Sequence, residues 1–370
     1  MNAIFSDNKL KLGLFGTNGG ATLSKVPEVW RPTWKQIVET AVLADRAGFE
    51  AQLAYARWKG YIPGDPTQGP GIVMDPFTWA AGLSQLTSYS TLIATTHATT
   101  MHPITAAKQT ATLDHMSNGR FALNIVGGWN KLELDMFGTP IKEHDARYEE
   151  LDEWWAILKK LWTSEDEFDF DGEYFTIVEG MSRPQPLQKP HPPILNAGGS
   201  PRGMRFATEH ADVCFVIPQV GALDKVRGQV DAYKNAAREH GREVQVWTYC
   251  AVSQRDTRQE AEDYLHYFAV EMEETELVDA WSAGLLAQTK IVDPAVMSEY
   301  RQRFAAGSGG PILVGDAVDI ADQMQELNEL GIDGILLTWP DFSDGVKRIV
   351  AEGGVLAELE RRGLRQPFRG

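Results

Sequence analysis

Two hydrophobic rhythms alternate along the chain. Short, nearly unbroken apolar runs occupy residues 10–16, 49–55, 90–97, 120–126, 193–197, 211–217, 244–253 and 333–339. Runs of this length, rich in Leu, Ile, Val and Ala and bounded by turn residues, are what strands buried on both faces require. Between them, apolar residues return at helical spacing. Thr33 is placed to cap a helix carrying Ile37, Ala41, Val42 and Leu43, and Pro103 stands at the first position of another. Residues 145–162 set Leu151, Trp154, Trp155, Leu158 and Leu161 on one helix face. Eight strands alternating with helices predict an α/β fold: a (β/α)8 TIM barrel built by a single domain over residues 1–370. A doubly wound open sheet is the alternative.

Insertions are expected after strands two, four and seven. Residues 57–75 form a long Gly/Pro-rich loop, of a length that is usually functional. Residues 168–175 alternate aromatic and acidic side chains around Asp171-Gly172, which signals a hairpin. Residues 257–310, approximately, are helical and acidic, with no clear strand and a loop at 307–314. The closing helix is expected at 341–362, and the tail 361–370 as a surface extension.

Composition narrows the function classes. At 43% hydrophobic and 23% charged, the chain has the makeup of a globular domain. Its net charge of -16 argues against nucleic-acid and membrane-surface roles, which call for basic patches. The two cysteines, Cys214 and Cys250, sit inside apolar runs and read as reduced core thiols. No signal-peptide pattern opens the chain and no run approaches about 20 apolar residues, so a cytoplasmic protein is expected.

A barrel binds its ligands at the C-terminal ends of its strands. That rule singles out Asn18, Arg57, Thr95 to His97, Asn124 to Trp129, Asn196 to Ser200 and Thr338-Trp339. Gly198-Gly199-Ser200-Pro201-Arg202 combines close backbone approach with a capped helix start, which suits a phosphate; an ordinary strand-to-helix turn would look the same. It is neither a Walker motif nor a dinucleotide-binding turn. Asn124 stands in an apolar strand ahead of Gly127-Gly128, Trp129 and Glu133, either as a pocket amide or as a structural one. Arg147-Tyr148 offers a cation and a phenol, or a surface pairing with Glu143 or Glu150. His97 and His102 could form an acid–base pair or be structural. No metal-ligand spacing and no Ser-His-Asp arrangement emerges.

Several of these segments together resemble the bacterial luciferase-like flavin monooxygenases. They are residues 106–114 (AAKQTATLD), 118–129 (NGRFALNIVGGW), 143–148 (EHDARY), 192–200 (PPILNAGGS) and 331–338 (GIDGILLT). The nearest branches act on pyrimidines, dimethylsulfone and alkanesulfonates. The resemblance implies a barrel that binds FMN as FMNH2, supplied by a separate NAD(P)H:flavin reductase, and uses O2 to oxygenate a small organic substrate. It also implies a homo-oligomer, dimer or tetramer. Position by position, it assigns Ala56 and Arg57 to a flavin-contacting strand end, and Asn124 and Glu133 to the isoalloxazine. Arg147, Tyr148, Gly199 and Ser200 go to the phosphate and ribityl end. Thr95 with Asn124 lines the oxygen pocket, and Trp129 walls the substrate side. The alkanesulfonate branch carries an arginine and a histidine after strand six, where this chain reads Phe215-Val216-Ile217-Pro218-Gln219. The alternatives are an alkanesulfonate monooxygenase, a deazaflavin-dependent oxidoreductase on the same barrel, and a non-catalytic flavin-binding protein.

Overall fold

Every apolar run singled out above forms a strand of one closed barrel. The structure, a computed structural model, describes residues 2–65, 67–218, 223–286 and 294–369. In chain order its strands are β1 (Lys11–Phe15), β2 (Ala51–Ala54), β3 (Thr91–His97), β4 (Phe121–Val126), β5 (Phe168–Asp171), β6 (Thr176–Gly180), β7 (Ile194–Asn196), β8 (Val213–Phe215), β9 (Gln245–Gln254), β10 (Ile312–Gly315) and β11 (Gly334–Thr338). Parallel pairing runs β1-β2-β3-β4-β7-β8-β9-β11 and returns to β1. The open-sheet alternative is thereby removed.

The barrel interior is a packed core. Ala51, Leu53, Ile93, Ala122, Leu195, Val213, Trp247 and Leu336 fill it from alternate positions of their strands. The packing is close enough that a Cβ on Gly13 would lie 2.4 Å from the Leu336 side chain and 2.6 Å from the Ala51 carbonyl. The lower end is stoppered by Ile4, from the one-turn helix Ala3–Phe5, whose carbonyl accepts from Gln245 Nε2 at 2.8 Å. At the upper end Phe15 stacks on Tyr249 (centroids 4.6 Å apart) and on Tyr55 (6.0 Å), which gives the mouth an aromatic floor. Helices pack outside the barrel over a second apolar layer that includes Trp154, Trp162, Phe206 and Phe342. Cys214 and Cys250 are buried free thiols, each pushed up to about 12 by burial.

Four sequence expectations are corrected. The loop expected at 307–314 contains β10, which pairs with the outer half of β9. At ten residues β9 outruns the barrel, and its far end needs a second partner for its backbone groups. The hairpin is real, but its turn lies two residues later, at Glu173-Tyr174: Gly172 N donates to the Phe175 carbonyl. Glu153 sets it there by accepting from the backbone N–H groups of Glu173, Tyr174 and Phe175. The closing helix is two, Phe342–Val350 and Val355–Arg361, broken at Gly353-Gly354, where Gly353 adopts φ +69°. The tail is not a surface extension: Leu364 and Arg365 are buried against the base of the barrel. The insertion after β9 is helical as expected, with Arg258–His266, Thr275–Leu286 and Pro294–Gly307. Part of it, 287–293, lies outside the described residues.

Candidate active site

The mouth is assembled from loops that follow β2, β4, β7 and β9. Thr95 and Asn124 face each other in register on β3 and β4, and Asn124 Nδ2 donates to Thr95 Oγ1 at 3.1 Å. Both side chains are buried, yet Asn124 Oδ1 has no partner among the described residues. A buried amide oxygen left open beside a fixed hydroxyl is an acceptor held for something that enters the mouth. Of two other strand-end amides, Asn196 is spent on the frame, bridging Ile125 O to Gly198 N. Asn18 Nδ2 ties Tyr55 O to Met74 O, while its buried Oδ1, like that of Asn124, has no partner among the described residues.

Glu133 is the hub of the next layer. After β4, Asn130 Oδ1 caps Leu132 N and starts a short helix, Lys131–Met136. That helix buries Glu133 to 1% exposure. Its Oε1 accepts from Trp58 N (2.7 Å), Lys59 N (3.3 Å) and Arg57 Nη1 (3.3 Å), so one carboxylate fixes the start of the long loop after β2. Arg57 in turn lies 5.1 Å from the Tyr61 ring centroid and 4.9 Å from that of Trp129. Tyr61 is flanked by two near-parallel indoles, Trp129 at 6.0 Å and Trp281 at 5.8 Å. Trp281 belongs to the insertion after β9 and packs edge-on to Phe304. Three loops therefore meet in one ring ladder.

His97 Nδ1 stands 3.7 Å from Glu133 Oε2. That contact would favour an imidazolium, but the carboxylate is already committed to Arg57. Burial, and then the Arg57 guanidinium, push His97 down to about 3, so the ring is neutral. The pairing of His97 with His102 does not form: His102 caps the helix Pro103–Met116 and its ring meets Phe175. The sign of the resulting pH dependence is fixed. Between the ordinary histidine value of 6.5 and about 3, the unfolded chain holds a proton that the folded chain refuses. Stability contributed by neutral His97 is thus lost as pH falls through that window, by up to about 1.4 kcal/mol per pH unit. Denaturant titrations at stepped pH should show a shallower acid loss for His97→Asn than for the parent protein. Equal slopes would rule out a neutral buried His97.

The far end of the mouth is polar and more open. Ser200 Oγ accepts from Gly203 N at 3.0 Å and so caps the helix Pro201–His210. His144 Nε2 lies 3.0 Å from the same oxygen. The Tyr148 hydroxyl sits against Gly203, where a Cβ would approach it to 2.3 Å. Arg202 lies over the Tyr148 ring at 5.5 Å. A Cβ at Gly199 or at Gly127 would meet nothing within 4 Å, so both glycines border open space. Gly128 differs, since its φ of +76° and Thr99 Oγ1 at 2.5 Å from a built Cβ make it a requirement of the turn itself.

Most of the expected site residues converge on this mouth, some in changed roles. Ala56 is buried at the end of β2, and Arg57 is paired with Glu133. Arg147 does not join Tyr148 at Ser200: its Nη1 donates to the Gly128 carbonyl at 3.1 Å, and its buried Nε has no partner among the described residues. The reading missed Tyr61, Trp281 and the bond from His144 to Ser200. His144 stood within the quoted 143–148 segment, but no spacing rule links it to residue 200.

The site lies on a chain whose relatives are known. Residues 10–334 match the family model described as luciferase-like monooxygenase. The chain is 30% identical over 351 residues to pyrimidine monooxygenase RutA of Acinetobacter baylyi, covering 91% of this chain and 92% of that one. It is 29% identical over 345 residues to the FMNH2-dependent dimethylsulfone monooxygenase of Pseudomonas putida, covering 89% and 90%. Among solved structures, long-chain alkane monooxygenase LadA superposes with a TM-score of 0.84 at 24% identity, over 99% of this chain and 94% of that one, which bears on the fold alone. With the family model spanning most of its length and the barrel mouth built as described, the chain belongs to the luciferase-like family of flavin-dependent monooxygenases.

Proposed function

We propose that the protein is the oxygenating component of a two-component system. It takes FMNH2 from a separate NAD(P)H:flavin reductase and uses O2 to oxygenate and cleave a small neutral organic molecule, of the pyrimidine-type N-heterocycle or sulfone class. The observation that carries this reading is the set of unspent groups facing one open mouth. They are Asn124 Oδ1 and Arg147 Nε, both buried with no partner among the described residues, and the uncrowded Gly199 beside a capped helix start. A flavin mononucleotide needs those things: acceptors and donors for its ring edge, and N–H groups with a positive dipole end for its phosphate.

Reduced FMN, when bound, supplies the electrons that allow O2 to be inserted into the substrate. The chain supplies the rest. Thr95 fixes the rotamer of Asn124, so its oxygen is held without reorganisation. Ser200, His144 and Tyr148 grip the phosphate end. Phe15, Tyr55 and Tyr249 keep the floor free of water. The missing arginine and histidine after β8 and the commitment of the Arg57 charge to Glu133 speak against a sulfonate.

Anaerobic fluorescence titration with FMNH2 is the direct test, and absence of binding would end the proposal. Tyr148→Phe removes a hydroxyl that donates to no acceptor among the described residues, so the fold should tolerate it. Its FMNH2 affinity should fall roughly ten-fold or more, as for a lost hydrogen bond to a charged group, while turnover at saturating flavin stays nearly unchanged. An unaltered affinity would remove Tyr148 from the phosphate end.

A further inference from the structure

Three tyrosines border the mouth, and their hydroxyls are used differently. Tyr55 donates to the Gly20 carbonyl, and Tyr249 donates to the Ser308 carbonyl at 2.5 Å. The Tyr61 O–H donates to no acceptor among the described residues, while its backbone N–H is bound to Gln68. Tyr61 also lies close enough to the other two that ionisation of one phenol would oppose ionisation of its neighbours.

The Tyr61 ring is nonetheless fixed. Its planes make angles of 19° with Trp129 and 11° with Trp281, and Arg57 covers it. Its backbone is equally constrained. Buried Gln68 accepts from the N–H groups of Tyr61 and Ile62, and donates to Ile62 O and Asp65 O at 2.8 Å each. An immobilised donor whose hydrogen is unspent has already met the ordering cost of binding, and it gains when an acceptor arrives. The adjoining charge is spent as well: Arg57 faces Glu133, although its buried Nε keeps one hydrogen without a partner. The ladder therefore offers hydrogen-bond donors without a spare positive charge.

We propose that Tyr61 is the substrate-orienting hydrogen-bond donor of this mouth, and that the substrate is a neutral molecule with an acceptor atom laid against the Trp129–Tyr61–Trp281 ladder. The acceptor is a carbonyl or sulfonyl oxygen, or an unprotonated ring nitrogen. The inference rests on the flavin monooxygenase reading and adds to it the residue that selects the substrate. Burial raises the Tyr61 phenol above its ordinary value and outweighs the opposing pull of Arg57, so it remains a donor at neutral and mildly alkaline pH.

Tyr61→Phe keeps the ladder and removes only the donor. The full-length protein, with FMNH2 under anaerobic conditions, is titrated by tryptophan fluorescence, which Trp129 and Trp281 report. The probes are uracil and dimethylsulfone as neutral acceptors, methanesulfonate as an anion, and toluene as a molecule without an acceptor. The parent protein should bind at least one neutral acceptor in preference to the last two, and Tyr61→Phe should weaken that binding about ten-fold. Its thermal midpoint should not fall, because the hydroxyl is bound to no group among the described residues; Tyr249→Phe, which loses the bond to Ser308, should melt earlier. Equal binding by the variant, preference for methanesulfonate or toluene, or no binding of either neutral acceptor would each overturn the assignment. Failure of the flavin reading registers separately, as an absence of FMNH2 binding in the titration that precedes the probes.

Discussion

Arg365→Ala is expected to destabilise the protein by about 3–5 kcal/mol, the cost of leaving a buried charge without its partner. Arg365 and Glu50 are 3% and 0% exposed. Arg365 Nη1 donates to Glu50 Oε2 at 2.7 Å and to the Leu10 carbonyl at 2.9 Å, and Nη2 donates to the Gly48 carbonyl at 2.8 Å. Glu50 also accepts from Leu12 N at 2.9 Å and from Ser6 Oγ at 3.2 Å. The pair thus locks the tail onto the start of β1 and the turn before β2. In the alanine variant Glu50 loses its counter-ion and the tail loses its charged anchor. Replacing both residues with leucine should recover much of the loss, since a buried pair exchanged for apolar side chains of similar volume is often neutral. Guanidinium unfolding reads both variants. A loss under about 1 kcal/mol for Arg365→Ala would mean that the pair is solvated in solution. Because this lock is at the opposite end of the barrel from the mouth, FMNH2 affinity should not follow the stability change.

Asn124→Ala is expected to reduce turnover by about 100- to 1000-fold, the usual effect of removing a preorganised polar group from a reaction centre. FMNH2 affinity should change by less than about ten-fold, because the phosphate end does not depend on this amide. Thr95→Val tests the same pair from the other side. It leaves the amide in place but frees its rotamer, and a smaller loss in the same direction is expected. Steady-state rates with a reductase supplying FMNH2, together with anaerobic titrations, separate the two quantities. An affinity loss as large as the rate loss would make Asn124 a flavin-binding residue and nothing more.

The two variants bear on opposite ends of one barrel, and the ends were unequally legible. The eight strands could be read because burial on both faces writes a continuous apolar run, whatever lies next to it. Asn124 could be read for a related reason: an amide in such a run has no solvent, so it must have a partner or a purpose. The capped turn at Ser200 was equally local. Arg365 was not legible. A single arginine in a polar tail has no periodicity, and only the approach of Glu50, over 300 positions away, makes it a core residue. β10 was hidden for a similar reason, since a four-residue run becomes a strand only where β9 overshoots the barrel and presents an unpaired edge.

The site divides along the same line. The sequence by itself determined the strand-to-loop junctions, the polar and aromatic residues that they deliver, and the family to which these segments belong, because each is carried by neighbours in the chain. The tertiary structure decided the pairings among them. Glu133 is spent on Arg57 and two backbone amides; Arg147 turns to Gly128, and it is His144 that reaches Ser200; and Tyr61 is held between indoles from two other loops. These contacts join residues separated by tens to hundreds of positions. Which partner wins depends on how barrel closure aims the loops, and that information exists only once β11 has paired with β1.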